Sequence, residues 1–166
     1  MSPENEALSD RAFNTLGLLS HKAAQADAFL YEVFHALSGC SPAIAKAIYY
    51  TLEALSARQA LTRRVAFAKE VDEETKKLLD ELYKLVAAVS GNRNDLAHSI
   101  FVTTWTEDAE MRVHRVNPKK QENATTEVTV AMLDHMRKQS DDALVAAMEQ
   151  FSKVCQKLGI PPAIHL

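Results

Sequence analysis

The segment Gly91–Ser99, which reads GNRNDLAHS, holds the residues of this chain best suited to chemistry. An arginine, two amides, a carboxylate and an imidazole lie within it. If the segment is helical, Asn94 and His98 are i, i+4 neighbours on a polar face, and Leu96 points the opposite way into the core. Imidazole titrates near neutral pH, and the guanidinium of Arg93 has a planar set of donors that suits phosphate. These residue types predict acid–base work on a bound anion.

The spacing of the two cationic residues limits that prediction. Arg93 and His98 are five positions apart, which is about 140° around an ideal helix. Both reach one ligand only if the arginine side chain curls round or the helix bends at Gly91. A simpler interpretation is a helix N-terminus capped by Asn92 or Asn94, with the arginine and the histidine in solvent.

The elements that must position this segment are predicted to be long helices. Apolar residues recur at helical spacing in four stretches separated by glycine, proline or polar residues. The predicted helices are one that contains Ala26–Leu37 and ends at Gly39, one from Ser41–Pro42 to about Phe67, one opening with Asp72–Glu74, and one over 126–157.

A β excursion is predicted between the last two helices. The stretch after Asn92 continues into IFVTTW, a polar turn and MRVHRV, which favours a short hairpin near 100–116. A polar connection, NPKKQENATTE, follows it. The predicted fold class is all-α, a four- or five-helix antiparallel bundle with a small β-hairpin insertion, in a single domain over 1–166.

Composition narrows the function classes. The chain has 166 residues with 19 Lys+Arg against 22 Asp+Glu, a net charge of −3, so binding of a polyanion needs a local basic patch. No apolar run approaches the ~20 residues that span a bilayer, and the first residues are polar, so no membrane association is predicted. Cys40 and Cys155 are far apart without CxxC spacing, which predicts free thiols and a cytoplasmic protein.

The pattern Arg93-Asn94-x-x-x-His98, late in a helical chain of this size, resembles the R-x(4–6)-H motif of the HEPN domain superfamily. The resemblance covers this motif and the helix order over about 20–157. It implies a helical homodimer whose two motifs face each other across one cleft. It also implies a metal-independent endoribonuclease with a toxin–antitoxin, phage-defence or RNA-processing role, and an antitoxin or nucleotidyltransferase as a further partner.

The resemblance also implies roles for the three motif residues. His98 would transfer protons to or from the ribose 2′-hydroxyl and the leaving 5′-oxygen. Arg93 would hold the scissile phosphate and stabilise its developing charge. Asn94 would orient the imidazole or contact the phosphate. No metal or other cofactor is required, and the RNA product would carry a 2′,3′-cyclic phosphate.

A basic cluster just after the motif is a candidate for binding the RNA substrate. It consists of Arg112, Arg115, Lys119 and Lys120, which the hairpin would return beside the motif. Two observations count against a broad RNA-binding face. Charged residues also protect exposed strand edges, and the neighbouring acidic turn contains Glu107, Asp108 and Glu110.

The sequence also offers two alternatives. Glu32-x-x-His35 has the spacing of a metal-binding pair in helical bundles, but further carboxylates are lacking, so no metal site is predicted. The second alternative is a non-catalytic HEPN-like dimeric binding module for RNA, a nucleotide or a protein.

Overall fold

The computed structural model describes residues 3–97, 100–105, 111–116 and 125–161. Within these ranges the chain forms five helices and three short strands. In chain order they are α1 (Pro3–Ser38), α2 (Pro42–Thr51), α3 (Leu55–Ala68), α4 (Glu73–Ala97), β1 (Ile100–Trp105), β2 (Met111–Val116), β3 (Thr125–Glu127) and α5 (Val130–Leu158).

The chain divides into two compact units. Unit 1 comprises Met1–Lys22 and Val89–Asp142, and unit 2 comprises Ala23–Ala88 and Ala143–Leu166. The helices α1, α4 and α5 each contribute residues to both units. The motif at the end of α4 therefore belongs to unit 1.

Unit 1 has an apolar core formed by α1, the end of α4, the residue that follows β3, and α5. Its buried members are Ala12, Leu19, Leu96, Val128, Leu133 and Met136. Two ion pairs join α1 to α5 in this unit. The Arg11 guanidinium contacts both carboxylate oxygens of Asp134 at 2.8 and 2.9 Å, and Lys22 Nζ lies 2.5 Å from Asp141 Oδ1. Burial of the core and these pairs together fix α1 against α5.

Unit 2 is a helical bundle whose helices are joined by side-chain hydrogen bonds and ring stacking. The Gln59 amide donates to the Tyr83 carbonyl at 3.0 Å, which pairs α3 with α4. The Gln150 amide donates to the Leu78 carbonyl at 2.9 Å, which pairs α4 with α5. The Phe29 ring, on α1, stacks on the Phe151 ring of α5 with centroids 4.9 Å apart.

A partly buried charge cluster joins α1, α2 and α3 in unit 2. Asp27 accepts from the Tyr49 hydroxyl at 2.9 Å and from Arg58 Nη1 at 2.5 Å. Arg58 also donates to the Leu52 carbonyl at 2.7 Å and lies over the ring of Tyr50. Burial is the main reason why the pKa of the Tyr49 hydroxyl is raised, and the negative charge of Asp27 raises it further. The cluster satisfies the polar groups at the break between α2 and α3.

Two predicted helix boundaries are confirmed. Gly39 follows α1 with a φ of 67°, a left-handed conformation that favours glycine at the end of a helix. Asp72 precedes α4, and its carboxylate accepts from the Thr75 backbone N–H at 2.8 Å, an N-cap. That hydrogen bond is the main reason why the pKa of Asp72 is lowered.

The prediction of one continuous second helix to Phe67 was wrong. The helix begins at Pro42 as predicted, but it ends at Thr51 and α3 starts at Leu55. The apolar spacing that suggested one long helix places Ile44 and Ile48 on its apolar face, but they are 54% and 43% exposed, whereas the neighbouring Ala45 and Tyr49 are fully buried. The helix face is set by Tyr49, because its hydroxyl bonds Asp27 and its ring packs against aromatic neighbours.

The predicted hairpin insertion must also be corrected. The five helices agree with the all-α part of the prediction, but in place of an isolated two-stranded hairpin at 100–116 the structure has a three-stranded antiparallel sheet in the order β1-β2-β3. The third strand comes from 125–127, a segment predicted as connection and helix start, and α5 accordingly begins only at Val130. Consecutive threonines favour extended backbone, and a third strand pairs an edge that a hairpin leaves open.

The Tyr83 hydroxyl gives a stability prediction. It is buried and has no hydrogen-bond partner, although the ring lies under the Arg63 guanidinium at 4.5 Å. Burial is the main reason why its pKa is raised. Tyr83→Phe keeps the ring and removes an unsatisfied polar group, so we expect the melting temperature to rise by about 2–4 °C.

Tyr49→Phe is the matched control for that measurement. The Tyr49 hydroxyl is hydrogen-bonded to Asp27, so its removal should lower the melting temperature in the same thermal unfolding experiment followed by circular dichroism. A fall for Tyr83→Phe as large as that for Tyr49→Phe would contradict this account.

Candidate functional site

Arg93 and Asn94 lie on the last turns of α4, which is helical to Ala97. Both side chains are exposed. Arg93 Nη1 donates to Asn94 Oδ1 at 2.9 Å. The structure therefore brings two of the three predicted catalytic residues together on an accessible surface, with the amide oxygen orienting the guanidinium.

The neighbouring residues fix the rotation of this helix end. Leu96 is buried in the core of unit 1. Asn92 Nδ2 lies 3.3 Å from both the Met136 carbonyl and Gln139 Oε1 on α5 and donates to them. The alternative of a helix N-terminus capped by Asn92 or Asn94 was wrong, because the segment lies at the C-terminal end of α4 and Asn92 binds α5.

His98 lies outside the described residues, and so do Lys119 and Lys120 of the predicted basic cluster. The distance from the Arg93 guanidinium to the imidazole therefore stays a prediction from spacing. What is established is the helical backbone that leads to the histidine, up to Ala97.

Arg112 and Arg115 lie on β2, which returns along β1. The backbone of Arg115 pairs with Phe101, and that of Arg112 with Thr104. Because Ile100 follows α4 closely and antiparallel strands are about 5 Å apart, the backbone at Arg115 lies within strand spacing of residues that directly follow the motif. The sheet register thus pairs the backbone of Arg115 with a residue three positions after His98 in the chain.

Glu32 and His35 contact each other along α1. His35 Nδ1 lies 4.0 Å from Glu32 Oε2, and the imidazole stacks on the Tyr31 ring. Across the described ranges, no three His, Cys, Asp or Glu residues are grouped so that they could hold a metal ion. Cys155 is buried. Burial is the main reason why the pKa of its thiol is raised, and the charge of Glu32 raises it further. A raised pKa does not favour the reactive thiolate.

A cavity of about 560 Å³ in unit 1 was not predicted from the sequence. Its lining residues are Asp10, Arg11, Asn14, Thr15, Leu18 and Arg137. The positions on α1 have the i, i+1, i+4, i+5, i+8 spacing of one helix face, which is the only sequence feature that could have indicated it. Nothing local distinguishes Arg137 from the other charged residues of α5.

A second cavity, of about 370 Å³, lies between α3 and α4 in unit 2. It is bordered by Phe67, Leu79 and Tyr83 and by four charged side chains. These charges form two pairs, Arg63 with Asp80 and Lys76 with Glu73. Every charged side chain that borders this cavity is therefore paired, so the cavity is less suited to binding an ion than the one in unit 1.

Comparison of the chain with models of protein families, with curated proteins and with solved structures finds no match. The function must therefore be argued from the residues and their geometry. Among the described residues, no helix is both long enough and apolar enough to cross a bilayer.

Proposed function

We propose that this protein is a metal-independent endoribonuclease of the HEPN type, with Arg93, Asn94 and His98 as its catalytic residues. The observation that supports the proposal is the exposed Arg93–Asn94 pair on a helix end that is anchored by Leu96 and Asn92.

At this end of α4, the attraction of a phosphate depends on the arginine. The C-terminal end of a helix carries about half a negative charge, which repels an anion. Arg93 lies one turn from the end of α4, so its guanidinium must offset this repulsion as well as bind the phosphate. Arg93 is then the residue on which binding and transition-state stabilisation chiefly depend.

The chemistry follows from the residue types. His98 takes the proton of the ribose 2′-hydroxyl, the resulting oxygen attacks the adjacent phosphorus, and the bond to the leaving 5′-oxygen breaks. That oxygen is protonated by an imidazole, either that of His98 or that of a second copy's motif. Arg115 and the other residues of the basic cluster bind the RNA chain on either side of the break.

The proposal is tested by incubating the purified protein with mixed RNA in the presence of EDTA. We expect cleavage that EDTA does not prevent, and products that carry 2′,3′-cyclic phosphate ends, detected by a ligase that requires such ends or by mass spectrometry. Loss of cleavage in EDTA, or the absence of cyclic phosphate, would overturn the mechanism. Retention of RNA without any cleavage would indicate the non-catalytic binding module instead.

A further inference from the structure

We propose that β1 is a docking edge for a second copy of this chain, and that the two β1 strands pair antiparallel to join the two sheets into one. In the described part of the chain the strand order is β1-β2-β3, so β2 is hydrogen-bonded on both sides and β1 on one side. The other edge of β1 carries backbone donors and acceptors that no described strand engages, which is a template for a further strand. This interface differs from the paired motifs that the HEPN resemblance implies.

The residues of β1 do not protect this edge. Proteins usually protect a free strand edge with charged residues, with proline or with a bulge. The six residues of β1 read IFVTTW and include neither a charge nor a proline. The register with β2 is continuous from Ile100 to Trp105, so β1 has no bulge. The arginines of the sheet, Arg112 and Arg115, lie instead on β2, the central strand.

The opposite edge of the same sheet is different. β3 has only three residues, Thr125–Glu127, and it includes a carboxylate. The helix α5 begins at Val130, directly after it. A very short strand with a charge is a common protection against pairing with another chain. The contrast between the two edges indicates that β1, and not β3, is the edge that pairs.

The occupant is a second copy because β1 is complementary to itself. Identical antiparallel strands are related by a two-fold axis perpendicular to the sheet, so one residue lies opposite its own copy. With Thr103 at the axis, threonine lies opposite threonine, and Phe101 lies opposite Trp105 of the second copy. Threonine pairs and aromatic pairs stabilise a sheet, and no like charges meet. Val102 then lies opposite Thr104, and both are β-branched residues that favour strands.

The first test is the oligomeric state of the full chain, measured by sedimentation equilibrium over a range of concentrations. We expect a dimer whose dissociation constant rises about tenfold or more in Thr103→Lys, because two ammonium groups then meet at the axis. Thr126→Lys is the matched control on β3 and should dimerise as the parent does. A parent that stays monomeric, even if its β1 edge binds an extended peptide, would overturn the proposal. Equal dimerisation of Thr103→Lys and the parent would do the same.

A mixing experiment separates lost pairing from lost folding. Thr103→Glu should also weaken the dimer, since two carboxylates then meet at the axis. An equimolar mixture of the Thr103→Lys and Thr103→Glu proteins should form a heterodimer, because opposite charges then lie across the axis from each other. Only folded chains that use this interface can regain it. A mixture that stays monomeric would contradict the pairing at Thr103.

Disulfide trapping tests the register. In a Cys40→Ser background, Thr103→Cys places two thiols opposite each other with Cβ atoms about 4.5–5.5 Å apart, so that small shifts allow a disulfide on oxidation. Val102→Cys is the control, because its two copies are diagonal neighbours about 7–8 Å apart and should link poorly. Stronger linkage of Val102→Cys than of Thr103→Cys on non-reducing gels would refute this pairing. None of these measurements uses RNA, so their outcome is independent of the proposed ribonuclease activity.

Discussion

Arg93→Ala is expected to lower RNA cleavage by roughly 10²- to 10³-fold, the effect of removing one donor group that stabilises a transition-state oxyanion. The effect should be large because the negative end of α4 repels the phosphate once the guanidinium is gone. Initial rates on a labelled oligonucleotide in EDTA give the measurement. His98→Ala should lower cleavage at least as far, because it removes the proposed proton-transfer group.

The control for this prediction is Arg64→Ala, which removes the same charge from an exposed position on α3. It should cleave within about twofold of the parent, because net charge alone contributes only to long-range attraction. Arg93 is exposed, so its loss should leave the circular dichroism spectrum and melting temperature unchanged. An Arg93→Ala protein as active as Arg64→Ala would contradict the catalytic assignment.

Asp27→Ala is expected to destabilise the protein by about 3 kcal/mol, the lower end of the cost of removing one partner from a buried ion pair, because this pair is only partly buried. The carboxylate is 13% exposed and the Arg58 side chain 18% exposed, so solvent screens the pair only weakly. Its removal also leaves the buried Tyr49 hydroxyl without its acceptor. For a chain of this size the melting temperature should fall by roughly 10 °C.

Asp80→Ala is the matched control for Asp27→Ala. Asp80 pairs with Arg63 at 3.1 Å, but the two side chains are 57% and 52% exposed. Exposed ion pairs contribute about 0–1 kcal/mol, so the melting temperature should change by no more than about 4 °C. Similar losses in the two variants, measured by thermal and urea unfolding, would contradict the conclusion that burial makes the Asp27 cluster important.

The two predictions address different properties of the chain. Arg93 lies in unit 1 and its loss should change catalysis without changing stability, whereas Asp27 lies in unit 2 and its loss should change stability first. Asp27→Ala protein that remains folded at low temperature should still cleave RNA. Measuring both properties for both variants therefore separates a folding defect from a catalytic one.

The sequence determined the helices wherever a periodic apolar face and a chemical boundary agree. Gly39 ends α1 because it adopts the left-handed backbone, and Pro42 begins α2 because the first turn of a helix needs no N–H there. Asp72 caps α4 because its carboxylate accepts from a free backbone N–H. Each of these requirements is local in the sequence. It also determined which residues are candidates for chemistry, since Arg93 and Asn94 are adjacent in any conformation.

Tertiary structure alone decided the remaining features. The break after Thr51 depends on Arg58, which binds the Leu52 carbonyl, and on its partner Asp27 of α1, which lies far from the break in sequence and meets it only after folding. The third strand depends on pairing with β2. The cavity of unit 1 depends on Arg137 of α5 reaching the face of α1 that carries Thr15. The periodicity of a sequence shows which residues share one face of a helix. Contacts with residues distant in sequence decide which of those faces is buried.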